Sequence, residues 1–148
     1  MRAPLVKTIS TFFFIGYLPL VPGTFASLAG MGVFACVKES PERYMVSLAL
    51  LTALGFLTAG RAEKLFGKKD HRSIVIDEVA GMMLSVGFLP RDYRLYVLGF
   101  FLFRLLDTVK PYPASLLQER EGAFGVMSDD IVAGIYTNLI LQVVARLP

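Results

Sequence analysis

The chain has 148 residues, of which 55% are hydrophobic and only 18% are charged, and its mean hydropathy is +0.60. A typical soluble domain is about 25% charged, and a chain of this length has little interior in which to bury the excess apolar surface. We therefore expect a single domain, residues 1–148, embedded in a lipid bilayer, with a very apolar soluble helical bundle as the alternative. The net charge is +3, without the basic stripe and interleaved aromatic residues of a nucleic-acid-binding surface, so we expect no nucleic-acid partner.

Cysteine and histidine are scarce, which narrows the chemistry. Cys36 is the only cysteine and His71 the only histidine, so an internal disulfide, a zinc site and a two-histidine phosphatase are disfavoured. Cys36 also lacks the correctly spaced arginine of a cysteine phosphatase. Residues 8–20 are apolar, but no small-residue cleavage site precedes a soluble domain, so we expect no cleavable signal peptide.

The first uncharged stretch, residues 8–37, is interrupted by two prolines and Gly23. Proline disrupts a helix because it removes a backbone donor and clashes with the preceding turn. We therefore predict an interfacial or re-entrant segment over residues 8–18 and a separate helix over residues 25–37. Thr24 is the predicted N-cap of that helix.

Further apolar stretches predict the remaining helices. They cover residues 44–60, residues 79–90 paired with 95–106, and residues 131–145. Several are short for a hydrocarbon layer of about 30 Å. The predicted fold is therefore all-α, a compact multi-helix membrane-embedded bundle with short or re-entrant helices. Asn138 and Gln142 share one helical face, where they would form interhelical hydrogen bonds.

The distribution of basic residues predicts the orientation of the bundle. The most basic connection, residues 61–72, should be cytosolic. Alternation of the helices then puts residues 38–43 and 91–94 on the outer side. Four polar positions that are far apart in the sequence would meet at the cytosolic face: Thr24, Asp77, Asp107 and Asp130. Their convergence predicts a functional site.

Five carboxylates border the apolar stretches: Asp77, Glu78, Asp107, Asp129 and Asp130. Each could be structural when taken alone, as a helix cap, as a partner of a helix dipole, or, for Asp107, as a partner of Arg104 or Lys110. Carboxylates at a hydrocarbon boundary are costly unless they are paired or bound to a cation. Together they predict a hard-cation site, and an all-oxygen donor set favours Mg²⁺.

Two segments could hold a phosphate. Residues 22–27 break an apolar stretch and restart a helix, where free backbone N–H groups favour an anion; an ordinary proline–glycine turn is the alternative. Lys110 ends another helix before two prolines. It could neutralise phosphate oxygens or simply complement the helix dipole.

Four ordered sequence blocks resemble the phosphatidylglycerophosphatase A family over nearly the full length of the chain. The blocks are PLVPGTFASL, DHRSIVIDEVAGM, FRLLDTVKPYP and GVMSDDIVAG. Asp77 and Glu78 match the family's acidic pair, and Asp107 and Lys110 match its Asp-x-x-Lys-Pro motif. The paired aspartates of the family correspond to Asp129 and Asp130. Three positions depart from the family pattern by replacing a glycine: Phe14, Ala26 and Ala123.

The resemblance implies an all-helical protein of the bacterial inner membrane, and the distribution of basic residues puts its active site at the cytosolic face. It implies Mg²⁺-dependent hydrolysis of phosphatidylglycerophosphate to phosphatidylglycerol and phosphate. The expected metal ligands are Asp77, Glu78 and one of the paired aspartates, Asp129 or Asp130, with Asp129 favoured. The expected catalytic residues are Asp130, Asp129 and Asp107, one of them acting as a base or as a nucleophile. The expected phosphate-binding residues are Gly23, Thr24, Ser27 and Lys110.

Two other functions remain open at the level of sequence. One is a phosphatase that acts on another membrane lipid phosphate, such as phosphatidate or a polyprenyl phosphate. The other is a non-enzymatic membrane subunit that binds a cation. A test of metal-dependent phosphate release distinguishes them, because the subunit would bind metal without releasing phosphate.

Overall fold

Helices account for all the regular structure that the computed structural model describes, which covers residues 1–147. The helices are α1 (Ala3–Ser10), α2 (Pro22–Val37), α3 (Pro41–Phe66), α4 (Ile76–Ser85), α5 (Tyr93–Val109), α6 (Ala114–Gln118) and α7 (Ala123–Val144), with a 3₁₀ turn at Ile15–Tyr17. No strand occurs within residues 1–147, so the prediction of an all-α fold is confirmed. Within the same residues, α3 and α7 are each long and apolar enough to cross a membrane.

The predicted helices all begin earlier than the sequence indicated, and for α2 and α7 the difference changes the role of a predicted residue. Helix α2 begins at Pro22 with Val21 as its N-cap, so the prediction of Thr24 as N-cap is wrong. Proline suits the first helical position because its fixed φ matches the helix and its missing N–H is not needed there. Helix α7 begins at Ala123 after Gly122, so Asp129 and Asp130 lie inside the helix and not at its start.

The segment predicted as interfacial or re-entrant, residues 8–18, contains the end of a helix, a tight turn and a 3₁₀ turn. Helix α1 ends at Ser10, and Phe12, Phe13 and Phe14 then adopt positive φ angles of 43°, 53° and 71°. Left-handed backbone is unfavourable for residues with a Cβ, because the Cβ approaches a carbonyl oxygen. The chain thus reverses direction in a strained turn before it enters the 3₁₀ turn.

Helix α4 is the centre of the bundle. Eight of its ten residues are buried, and it packs mainly against α7 and α2. It meets α7 at two glycines, where a Cβ on Gly134 would lie 2.6 Å from the carbonyl oxygen of Gly81 and a Cβ on Gly81 would lie 2.8 Å from that of Asp130. Only glycine permits this approach, and the approach brings Asp130 beside the N-terminal end of α4.

The C-terminal end of α4 is also tied to α7. The Asn138 side-chain amide donates to the carbonyl oxygens of Ser85 and Gly87 at 3.1 and 2.8 Å, and Gln142 donates to that of Phe88 at 3.3 Å. These bonds satisfy carbonyl groups that a helix end leaves without intrahelical partners. The predicted interhelical role of Asn138 and Gln142 is confirmed.

The two connections that were predicted on the outer side lie together. Arg91 and Glu39 form an ion pair at 2.5 Å that joins the connection between α2 and α3 to the one between α4 and α5. From this end, α2 and α5 run to the opposite end of the bundle, where Gly23 and Asp107 lie. The polar residues predicted to form a site are at that opposite end.

Candidate active site

A polar cleft of about 320 Å³ opens at the end of the bundle where α2, α4 and α7 begin and α5 ends. Six carboxylates line it: Asp70, Asp77, Glu78, Asp107, Asp129 and Asp130. Three cationic side chains line it as well: Arg72, Arg104 and Lys110. Three of the four positions predicted to converge, Asp77, Asp107 and Asp130, therefore line one cleft, and Thr24 does not. All five of the carboxylates that border the apolar stretches are in its wall.

Three carboxylates form the tightest acidic group in this cleft. Asp77, Glu78 and Asp130 each offer an oxygen within 4.8 Å of the others. Asp77 and Asp130 are buried and Glu78 is half-buried. Among the described residues, Oδ1 of Asp77 and Oε2 of Glu78 are buried without a hydrogen-bond partner. Such oxygens are unfavourable unless a cation binds them, so the donor set fits a hard divalent ion that prefers oxygen ligands.

The pKa shifts of the acidic group also favour a bound cation. Burial raises the pKa of Glu78 to about 8, and burial together with the Glu78 charge raises the pKa of Asp77 well above its usual range. Without a cation, these carboxyls therefore retain protons in conditions where an exposed carboxyl is ionised. A divalent ion between them would reverse this effect, because its charge favours the ionised form of each ligand.

Asp129 lies beside this group but is held by another partner. Its Oδ2 accepts a hydrogen bond from Nζ of Lys110. Its Oδ1 is buried and has no hydrogen-bond partner in the part of the chain that the structure describes. Burial alone would lower the pKa of Lys110, but the Asp129 carboxylate outweighs burial and the pKa is raised. Lys110 is therefore a permanent positive charge at the cleft.

Arg104 lines the cleft, although the sequence indicated it only as a partner of Asp107. Its Nη1 donates to Oδ2 of Asp107 at 2.8 Å, and its guanidinium reaches the first turn of α2. A Cβ added to Gly23 would lie 3.2 Å from both of its terminal nitrogens and 2.4 Å from Oε1 of Glu78. The signal in the sequence was the spacing of three residues between Arg104 and Asp107, which places both on one helical face.

Asp70 and Arg72 also line the cleft and were missed. They lie in the connection between α3 and α4, where the backbone N–H of Asp70 donates to Oε1 of Glu63 at 2.7 Å. His71 lies between them but stacks on the ring of Phe66 at 4.6 Å. No periodic pattern marks such loop residues, so only the folded chain brings them to the site.

A family model described as Phosphatidylglycerophosphatase A matches residues 8–145. The chain belongs to the phosphatidylglycerophosphatase A family. Its membership confirms the predicted resemblance and the prediction of an enzyme, a phosphatase. The alternative of a non-enzymatic membrane subunit loses its support.

Curated relatives of this phosphatidylglycerophosphatase A family member are bacterial proteins. A Phosphatidylglycerophosphatase A of Escherichia coli K12 is 36% identical over 134 residues, covering 88% of this chain and 78% of the relative. One of Haemophilus influenzae is 32% identical over 130 residues, covering 85% and 80%. A Bacteroides thetaiotaomicron protein provisionally named phosphatidylinositol-3-phosphatase is 29% identical over 154 residues, covering 97% and 96%. No solved structure matches the chain.

In this family member, two of the four predicted phosphate-binding residues line the cleft. They are Gly23 and Lys110. The Ser27 hydroxyl is buried and donates to the carbonyl oxygen of Gly23 at 2.9 Å, and the Thr24 backbone N–H donates to that of Val21 at 3.1 Å. Because α2 starts at Pro22, both donors are used in hydrogen bonds within the first turns of the helix. Thr24 and Ser27 are not among the residues that line the cleft.

Proposed function

We propose that this chain hydrolyses the terminal phosphomonoester of phosphatidylglycerophosphate to phosphatidylglycerol and phosphate, and that the reaction depends on Mg²⁺. The observation that carries the proposal is the acidic group of Asp77, Glu78 and Asp130, which faces Arg104 and Lys110 in one cleft. A phosphomonoester carries concentrated negative charge, so its hydrolysis is catalysed mainly by positive groups and by positioning.

Asp77, Glu78 and Asp130 would hold Mg²⁺. Asp129 is the further candidate ligand through Oδ1, which is buried without a hydrogen-bond partner within residues 1–147. Bound there, Mg²⁺ would supply charge for the phosphate oxygens and would make a water more acidic. The chain itself contributes a fixed set of carboxylate oxygens at the N-terminal end of α4 and inside α7.

The cationic side of the cleft would bind the phosphate oxygens that do not react. Arg104 offers a planar guanidinium that can donate two parallel hydrogen bonds, and Lys110 offers a point charge. The backbone N–H of Gly23 belongs to the first turn of α2 and adds a donor at a helix N-terminus. Asp107 holds the Arg104 guanidinium at 2.8 Å, so we assign it to positioning.

Asp129 and Asp130 are the candidates for the base or the nucleophile. With Asp129 as the base, Oδ1 accepts a proton from a water that attacks phosphorus, while Lys110 holds Oδ2. The bond between phosphorus and the glycerol oxygen breaks, the glycerol oxygen takes a proton from solvent to leave as an alcohol, and Asp129 returns its proton to solvent. With Asp130 as the nucleophile, its carboxylate would form a bond to phosphorus as the bond to the glycerol oxygen breaks. Water would then cleave the acyl phosphate, which releases phosphate and regenerates the Asp130 carboxylate.

The proposed location is the bacterial inner membrane, with the cleft at the cytosolic face. This proposal is supported by α3 and α7, which are long and apolar enough to cross a bilayer. It is also supported by the basic connection between α3 and α4, which carries Lys68, Lys69 and Arg72 at the same end as the cleft. The acyl chains of the substrate would then remain in the bilayer.

The test is phosphate release in detergent micelles with and without Mg²⁺, with EDTA as a further control. The substrates are phosphatidylglycerophosphate, phosphatidate and phosphatidylinositol 3-phosphate, the last because one relative carries that substrate in its name. We expect Mg²⁺-dependent release from phosphatidylglycerophosphate alone. Release from another lipid only would overturn the proposed substrate, and release that EDTA leaves unchanged would overturn the proposed metal dependence.

A further inference from the structure

The connection between α1 and α2 exposes a row of large apolar side chains, which we call the apolar rim. The rim consists of Phe13, Phe14, Tyr17, Leu18 and Leu20. Phe13 is 72% exposed and Leu20 is 89% exposed. The rim continues directly into Val21, Pro22 and Gly23, which line the cleft. Contiguous exposed apolar surface of this kind marks a binding surface.

Three residues of the rim have a strained backbone. Phe13, Phe14 and Leu20 have positive φ angles of 53°, 71° and 73°, in the region that disfavours any residue with a Cβ. Burial of these side chains cannot offset the strain, because the side chains remain exposed. Strained backbone persists where the surrounding structure imposes it, and such positions cluster at functional sites.

The surrounding contacts that impose this conformation run to the acidic group. The backbone N–H of Phe14 donates to the Thr11 hydroxyl at 3.2 Å. Gly16 packs so tightly on the segment before α4 that a Cβ would lie 2.0 Å from the carbonyl oxygen of Ser73. The N–H of Val75 donates to the carbonyl oxygen of Ser10 at 2.9 Å. The rim is therefore fixed to the chain that leads directly into Asp77.

The rim also lies at the level where helices end. It precedes the first residue of α2, and the Tyr17 ring lies 6.3 Å from that of Phe66, the last residue of α3. Nζ of Lys7 lies 5.2 Å from the Phe66 ring. Aromatic rings and cations at this level are typical of the boundary between lipid headgroups and acyl chains.

We propose that the apolar rim inserts into the lipid surface beside the cleft and receives the acyl chains of the substrate while the phosphate enters the cleft. This inference rests on the proposed function, because it takes the substrate to be a lipid phosphate. A headgroup that reaches Gly23 and Arg104 leaves its acyl chains close to the mouth of the cleft. The rim provides the apolar surface that joins the cleft there, through Val21.

The main test replaces three rim residues by glycine in one variant, Phe13→Gly, Phe14→Gly and Leu20→Gly. Glycine adopts positive φ without a steric penalty, so the variant keeps the backbone conformation and is expected to fold. Phe88→Gly is the matched control, because Phe88 has a φ of 56° and is 63% exposed in the turn after α4, far from the cleft.

Both variants are assayed on long-chain phosphatidylglycerophosphate in mixed micelles and on glycerophosphoglycerophosphate, the same headgroup without acyl chains. For the rim variant we expect kcat/KM to fall at least about tenfold on the long-chain lipid, because the loss of about 1.4 kcal/mol of apolar burial, less than one fully buried side chain contributes, is enough for that change. On the soluble headgroup it should stay at the wild-type value, and the control should match wild type on both. An equal loss on both substrates, or no loss on either, would overturn the proposal.

A second measurement does not depend on activity. The chain contains no tryptophan, so the Phe13→Trp variant carries a single tryptophan, at the rim, which is excited selectively at a wavelength where tyrosine does not absorb. In phosphatidylethanolamine–phosphatidylglycerol vesicles with brominated acyl chains, we expect a blue-shifted emission that the bromine quenches. Unquenched emission at the wavelength of exposed tryptophan would overturn the rim proposal. A wild-type chain that releases no phosphate from either substrate would overturn the proposed function instead, and the quenching result would still decide the rim.

Discussion

The close crossing of α4 and α7 predicts that one added methyl group, at Gly134, will move Asp130 away from Asp77 and Glu78. In the Gly134→Ala variant, the new Cβ would lie 2.6 Å from the carbonyl oxygen of Gly81, about 0.8 Å inside ordinary van der Waals contact at 3.4 Å. Both atoms are fixed to a helix backbone, so no side-chain rotation can relieve the contact. The two helices must therefore move apart. Asp77 and Glu78 lie one turn from Gly81 and Asp130 lies one turn from Gly134, so the shift reaches the proposed ligands directly.

The expected effects follow from that displacement. Overpacking of a tight contact costs about 1–3 kcal/mol, which lowers Tm by roughly 3–10 °C for a chain of this size. A displacement of about 1 Å in a catalytic arrangement can reduce the rate by about 100-fold. We therefore expect Gly134→Ala to remain folded in detergent, to lose most of its phosphate release, and to need more Mg²⁺ for half-maximal activity.

Gly32→Ala is the matched control for this variant. Gly32 also lies inside a helix, α2, and no atom of the described residues lies within 4 Å of its added Cβ. Replacing glycine by alanine inside a helix stabilises the helix by about 0.5–1 kcal/mol. The Tm of Gly32→Ala should therefore rise slightly, and its activity should not change. Wild-type activity and Tm in Gly134→Ala would refute the inference that this crossing positions the acidic group.

Three further variants test separate parts of the site. We expect Mg²⁺ to raise the Tm of the wild type, and Asp77→Asn should abolish that rise because it removes a charged ligand; a full Mg²⁺-induced shift in the variant would remove Asp77 from the metal site. Arg104→Lys should raise KM about tenfold with a smaller change in kcat, since lysine keeps the charge but not the planar pair of donors; unchanged kinetics would show that Arg104 does not bind phosphate. Asn138→Leu should lower the free energy of unfolding by about 1–3 kcal/mol, because carbonyl oxygens at the end of α4 lose their donors; urea or thermal unfolding that matches the wild type would contradict this.

Some features were readable from the sequence because they depend on residue type and spacing alone. The apolar composition and the uncharged stretches predicted a helical bundle. The carboxylates that border those stretches predicted a polar site, and the spacing of Asn138 and Gln142 predicted an interhelical contact. Four sequence blocks identified the family. Each of these inferences needs only helical periodicity and the unfavourable burial of charge.

Other features depended on how the helices pack. Pro22 was interpreted as a helix breaker, but a proline at the first position of a helix is favourable, and only the backbone path distinguishes the two. Arg104 became a site residue because Gly23 lets α2 approach its guanidinium. Asp70 and Arg72 reach the cleft through a loop that carries no periodic signal.

The sequence alone does not determine which aspartate completes the acidic group. Asp129 and Asp130 are adjacent and chemically identical, and at the level of sequence either could be the third metal ligand beside Asp77 and Glu78, with Asp129 favoured. In the folded chain, Asp130 lies with Asp77 and Glu78, while Asp129 binds Lys110. Successive residues on a helix point about 100° apart, so the rotation of α7 decides which carboxylate faces α4. That rotation is set by the contact between Gly81 and Gly134, which exists only in the tertiary structure.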